Sequence, residues 1–232
     1  MENYRCVTSV QEIQEYIGNA AVVAFDYETA PDEPYRMEEK AALDPYKSHI
    51  VGCSFSTKEH TGIYVPVAHK VGENIENALF LCFLKSFLTN KNIIKIAHNI
   101  AFESAVSCHQ GIVIQPPVYD TICAAQMTLK SNYEFRKLAD SGLKKLASEL
   151  CHEPLPTFSE VTNGRHFDEL DAQDSETVRY GCADSDFALR LYHIFNNWFD
   201  RFLPKHRYIA EQIESPTAVY LGIMKHNGVP VD

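Results

Sequence analysis

The run Ala20-Ala21-Val22-Val23-Ala24-Phe25 constrains the fold most, because six consecutive apolar residues leave no face for water. Side chains alternate across a strand, so a strand apolar on both faces must be covered on both. The run therefore reads as the central strand of a sheet with helices above and below. Further strands are expected at residues 50–55 and 62–67, joined by a polar turn at 56–61, and at residues 93–97. Ser9 with Glu12 fits a capping box that opens a helix through Tyr16, stopped by Gly18. Other helices are expected at 73–88, 101–109, 121–129, 142–151, 175–198 and 208–225, the last ending at Asn227-Gly228. Strands come first and helices accumulate later, which predicts an α/β fold, a mixed sheet flanked by helices on both faces. The Pro-containing stretches 30–48 and 153–174 are expected to be irregular, and loops of that length are often functional.

With 232 residues and 45% hydrophobic content, the chain can bury one large core with room for an appendage. The first nine residues are polar and carry Glu2 and Arg5, unlike a signal peptide, and no apolar run is long enough to span a bilayer. The seven cysteines contain no C-x-x-C pair, which predicts reduced thiols in a cytoplasmic protein and disfavours zinc. A net charge of -10 argues against a broad basic face for nucleic acid. That objection weakens if bound cations supply positive charge where a phosphate must sit.

Asp26 and Glu28 follow the apolar run and share a face with Val22 and Ala24, so both carboxylates emerge at its carboxyl end. A lone D-x-E is better explained as the start of a turn. Glu103 lies one helical turn after Asn99, in the helix that follows the 93–97 strand. By itself it is as well explained as an acid favoured by the helix dipole. Asp120, just before Thr121, reads as a plain helix cap. Tyr180, Asp184, Phe187, Leu191, Ile194 and Trp198 follow three- and four-residue spacing, which places Asp184 within the stripe that packs inward. An unpaired carboxylate there costs several kcal/mol or takes a proton, so it calls for a cation. Asp186, four residues before Arg190, reads as half of a surface ion pair. A set of oxygen ligands without His or Cys suits Mg²⁺ or Mn²⁺. Two such ions roughly 4 Å apart activate water on one side of a phosphodiester and stabilise the leaving oxygen on the other.

The segments Phe25-Asp26-Tyr27-Glu28-Thr29, His98-Asn99-Ile100-Ala101-Phe102-Glu103 and Tyr180-Gly181-Cys182-Ala183-Asp184 together resemble the three motifs of the DEDD exonucleases. The tyrosine matches the branch found in the proofreading domains of family A DNA polymerases. Gly142-Leu143-Lys144-Lys145-Leu146-Ala147 and Thr157-Phe158 resemble the segment before the third motif. The resemblance implies a ribonuclease H-like fold and metal-dependent removal of nucleoside monophosphates from the 3′ end of single-stranded DNA. Asp26, Glu28 and Asp184 would hold one ion, Asp26 and Glu103 a second, and Tyr180 with Glu28 would orient the attacking water. Asn99, Phe102 and Phe167 are the expected substrate contacts, Phe167 against the terminal base. One departure stands out: the second-motif acid is usually Asp, and here it is Glu103.

Ile213-Glu214-Ser215-Pro216 and Asn227-Gly228-Val229-Pro230-Val231-Asp232 resemble the entry into the polymerase portion. Residues 1–203 are thus expected to form the exonuclease domain and 204–232 to lead into a polymerase domain of a longer, monomeric chain. The alternatives are a ribonuclease D-like enzyme acting on RNA and a catalytically retired spacer beside a polymerase.

Overall fold

The computed structural model describes residues 2–130 and 132–228. Six strands, β1 (Asn3–Cys6), β2 (Val22–Pro31), β3 (Ser48–Ser56), β4 (Thr61–Pro66), β5 (Ile94–Ala97) and β6 (Val118–Asp120), form one sheet in the order β1-β4-β3-β2-β5-β6. Pairs β1/β4, β2/β5 and β5/β6 are parallel, whereas β2/β3 and β3/β4 are antiparallel, so the sheet is mixed. The helices are α1 (Val10–Ile17), α2 (Asn77–Leu88), α3 (Ile100–His109), α4 (Thr121–Leu129), α5 (Leu143–Leu146), α6 (Phe158–Thr162), α7 (Ser175–Phe202), α8 (Pro204–Ile209) and α9 (Ser215–Asn227). None of them is long and apolar enough to cross a membrane.

The expected two-sided cover is present, and β2 shows how it works. Val23, Phe25 and Tyr27 point into a core shared with α1, α2, α3 and α9, where Ile13, Phe80, Leu84, Phe87 and Val106 are buried. Ala24, on the opposite face, packs into a second core with α4 and α7, built on Leu129, Phe187, Leu191, Phe195 and Phe199. Asp26 and Glu28 continue the Ala24 face, toward α7.

Several elements differ from the sequence reading. β2 runs on to Pro31, paired with β3 to the end, so Asp26 lies inside a strand rather than opening a turn. A bulge after Glu28 shifts the register with β3, a common device for re-aiming a strand beside a site. Short β1, β6 and α6 carry too little periodicity to be seen in sequence. α2 starts at Asn77, because Asn74 is engaged with the His69 backbone and Val71 bridges to Asp171. The C-terminal helical stretch starts at Pro204 and passes through a π-helical turn at Ala210–Glu214. The expected polymerase-entry residues 229–232 lie outside the described residues.

Asp186 is not on the surface. It is fully buried, and its carboxylate accepts from Arg190 at 2.6 Å, from the Tyr4 hydroxyl at 2.6 Å and from the His60 amide at 2.8 Å. The partner missing from the sequence reading is β1, which carries Tyr4 over the face of α7 that helical periodicity assigns to solvent.

Candidate active site

β2 and α7 bring the acids together. One carboxylate oxygen each from Asp26, Glu28 and Asp184 lies within 4.8 Å of the others, the single such group of potential metal ligands among the described residues. Glu28 is buried, and Asp26 and Asp184 are half-buried. α7 approaches this closely because its Gly181 has no side chain: a Cβ there would collide with the ring of Tyr64, which is fully buried between helix and sheet.

Like charges in a buried site favour protons unless a cation is present. Burial, and then the charge of Asp184, pushes Asp26 well above the usual carboxylate range. Burial raises Glu28 strongly too, with Asp26 and Asp184 adding to it. Burial lifts Asp184 to about 6. In all three, the opposing influence is the ammonium of Lys144. Tyr180 is 6% exposed, and its hydroxyl accepts from Lys144 at 2.9 Å. Burial, then Glu28, Asp184 and Asp26, hold its proton in place.

Glu103 is 1% exposed on α3, outside the three-acid group, and its Oε2 has no hydrogen-bond partner. Burial first, then Asp26, raises its proton affinity. Asn99 is exposed and in the left-handed conformation, with φ 75°, and its side chain caps nothing. The cap of α3 is supplied by Asp120, whose carboxylate accepts from the Asn99 and Ile100 amides, both at 3.0 Å, while also accepting from Ile122 at 2.9 Å in α4. Asp120 is thus a plain cap for two helices at once.

A family model described as 3′-5′ exonuclease matches residues 1–200. The chain belongs to this exonuclease family. It is 26% identical over 234 residues to DNA polymerase I of Borreliella burgdorferi, covering 99% of this chain and 23% of that relative. The chain spans less than a quarter of the length of the curated relatives it matches. Among solved structures, Trypanosoma brucei RNase D in complex with RNA U12 superposes with a TM-score of 0.70 at 16% identity, covering 100% of this chain and 73% of that one. Brucella melitensis NrnC with bound Mg²⁺ gives 0.63 at 18%, covering 100% and 98%. At these identities the likeness shows the ribonuclease H-like fold that the three proteins share.

Exonucleases of this family normally use divalent metals, and the residues here fit such an ion. The donors are all carboxylate oxygens, they converge, and a fourth buried carboxylate has an oxygen without a partner. Of the expected substrate contacts, Asn99 is at the surface and Phe102 is half-buried against the α2 side of the core. Phe167 needs correction: it is fully buried among Tyr64, His69, Phe158 and Tyr180 and offers no ring face to a base. It packs against Tyr180, at 5.6 Å between ring centres. The exposed aromatic at this spot is Phe158, 44% exposed and 6.3 Å from Tyr180. Lys144, which donates to Tyr180, and Phe158 beside it lie in the stretches resembling the segment before the third motif, to which the sequence assigned no individual role.

Proposed function

We propose that the chain removes nucleotides from the 3′ end of single-stranded DNA with two Mg²⁺ or Mn²⁺ ions, releasing nucleoside monophosphates, as the proofreading part of a longer DNA polymerase. The observation that carries this reading is the convergence of Asp26, Glu28 and Asp184, with Tyr180 beside them, in a chain of the exonuclease family. Asp26, Glu28 and Asp184 would hold one ion, and Asp26 with Glu103 the other. When bound, the ions supply a water acidic enough to ionise near neutral pH and positive charge against the leaving oxygen. Glu28 and Tyr180 orient the attacking water. Asn99 and Phe102 contact the terminal nucleotide, and Phe158 stacks on its base.

Residues 1–203 make up the catalytic domain, and 204–232 lead toward a polymerase portion. Polymerase I relatives about four times as long support this arrangement. The protein acts as a monomer in the cytoplasm, and the seven free thiols are in keeping with that compartment. Retention of all four acids and the tyrosine speaks against a retired spacer.

Matched DNA and RNA oligonucleotides, labelled at the 5′ end and incubated with Mn²⁺, test the reading. The expected result is a ladder shortening from the 3′ end, faster on DNA. Faster loss of the RNA would move the assignment to ribonuclease D-like trimming, and intact strands in both arms would leave the spacer.

A further inference from the structure

Lys144 reaches the acids from the one-turn helix α5, whose Leu143 and Leu146 anchor it in the α7-side core. Its ammonium donates to the Pro156 carbonyl at 2.7 Å and to the Tyr180 hydroxyl at 2.9 Å, and lies 4.3 Å from the centre of the Tyr180 ring. Its charge favours the ionised forms of Asp26, Glu28 and Asp184. A lysine that only screened these acids would not need a fixed anchor on a backbone carbonyl. That anchor sits just before Thr157, the cap of α6, so one ammonium ties α5, the start of α6 and Tyr180 together.

The direction of the bond is what matters. An ammonium only donates, so the Tyr180 oxygen is the acceptor and its own proton is free to be given elsewhere. We propose that Lys144 is a positioning residue that makes Tyr180 a hydrogen-bond donor to the attacking water, while Glu28 accepts from the same water. Once ionised, an oxygen held in this way would have one lone pair toward the ion, one accepting from Tyr180 and a third for phosphorus, while its remaining O–H is held by Glu28. The inference rests on the exonuclease reading given above.

The test uses the full chain, single-stranded DNA and Mn²⁺, with Lys144→Met, Lys144→Arg, Tyr180→Phe and the Lys144→Met/Tyr180→Phe double variant. Lys144→Met is expected to lower kcat by about 10- to 100-fold with little change in KM, and Lys144→Arg to recover part of the loss. The double variant should be no slower than Tyr180→Phe alone, because both changes break one arrangement. Calorimetric titration with Mn²⁺ needs no turnover: Lys144→Met should bind the ion at least as tightly as the parent, since a cation beside the carboxylates has gone. Wild-type kcat in Lys144→Met, losses that multiply in the double variant, or loss of Mn²⁺ binding together with turnover would each overturn the proposal. An inactive parent chain would instead overturn the exonuclease reading, and this inference with it.

Discussion

Without a cation, Asp26, Glu28 and Asp184 are held closer together than their charges favour, and Lys144 offsets only part of the repulsion. Replacing Asp26 by Asn should therefore raise the metal-free melting temperature, by at least about 2 °C, while removing the stabilisation by Mn²⁺. A melting scan with and without Mn²⁺ checks both halves. Replacing Asp26 by Ala should abolish cleavage, whereas Glu103→Ala should keep residual activity at high Mn²⁺, because Glu103 stands apart from the three-acid group. Equal losses in a metal titration of activity would make Glu103 a full partner. Asp26, Glu28 and Asp184 were legible in the sequence, because charge inside an apolar pattern has few explanations, whereas Tyr180 stood out only through the family resemblance. Phe167, Asp186 and Lys144 were not, because burial and reach depend on which distant segment covers them: β1 over Asp186, and α6 over Phe167.

At the scale of elements, two close approaches hold the site's scaffold. Asp120 at the end of β6 caps both α3 and α4, and its amide donates to Ser215 in α9 at 2.9 Å. Asp120→Ala removes acceptors from two helix starts and should cost about 2 kcal/mol or more in a denaturant melt, with Asp120→Asn costing less. α9 lies against α3 through Gly222, where a Cβ would collide with the Ala101 carbonyl and come within 2.6 Å of the Ser104 Cβ. The Ser104 hydroxyl donates to the Val219 carbonyl at 2.7 Å across the same seam. Gly222→Ala should destabilise the chain by about 1–3 kcal/mol, again by denaturant melt, because neither backbone can give way cheaply. Long periodic elements such as α7 and the apolar β2 were readable before the structure, with ends off by a few residues. Three-residue β6 and four-residue β1 were not, since their pairing comes from the sheet rather than from any local pattern.

For the whole molecule, the acids set the response to pH and metal. Asp184 and Asp120 are raised to about 6 and Asp26, Glu28 and Glu103 well above their ordinary values, in each case by burial first. Over this range the folded chain binds more protons than the unfolded one, so metal-free stability should fall as pH rises from about 4 through 6 and beyond. His98, lowered by burial to about 4, and His69, also lowered by burial, work in the opposite sense below about 6.5, and Lys95, lowered by burial to about 8, does so toward that value and above, so the acids dominate from about 6.5 to just below 8. Melting temperatures between pH 6.5 and 8 should thus decline without metal and hold steady or rise with Mn²⁺, which binds the ionised acids. Metal also answers the objection raised by a net charge of -10, since cations placed among the acids can receive a phosphate that the bare surface would repel. The most direct measurement is release of labelled mononucleotide from 3′-labelled single-stranded DNA, with Mg²⁺, with Mn²⁺ and with a chelator, for the parent chain and Asp184→Ala. Release by the parent with metal, and by neither protein with chelator, is the predicted result. Release that survives chelation or the loss of Asp184, or none from the parent with either ion, would contradict a metal-dependent exonuclease built on Asp26, Glu28 and Asp184.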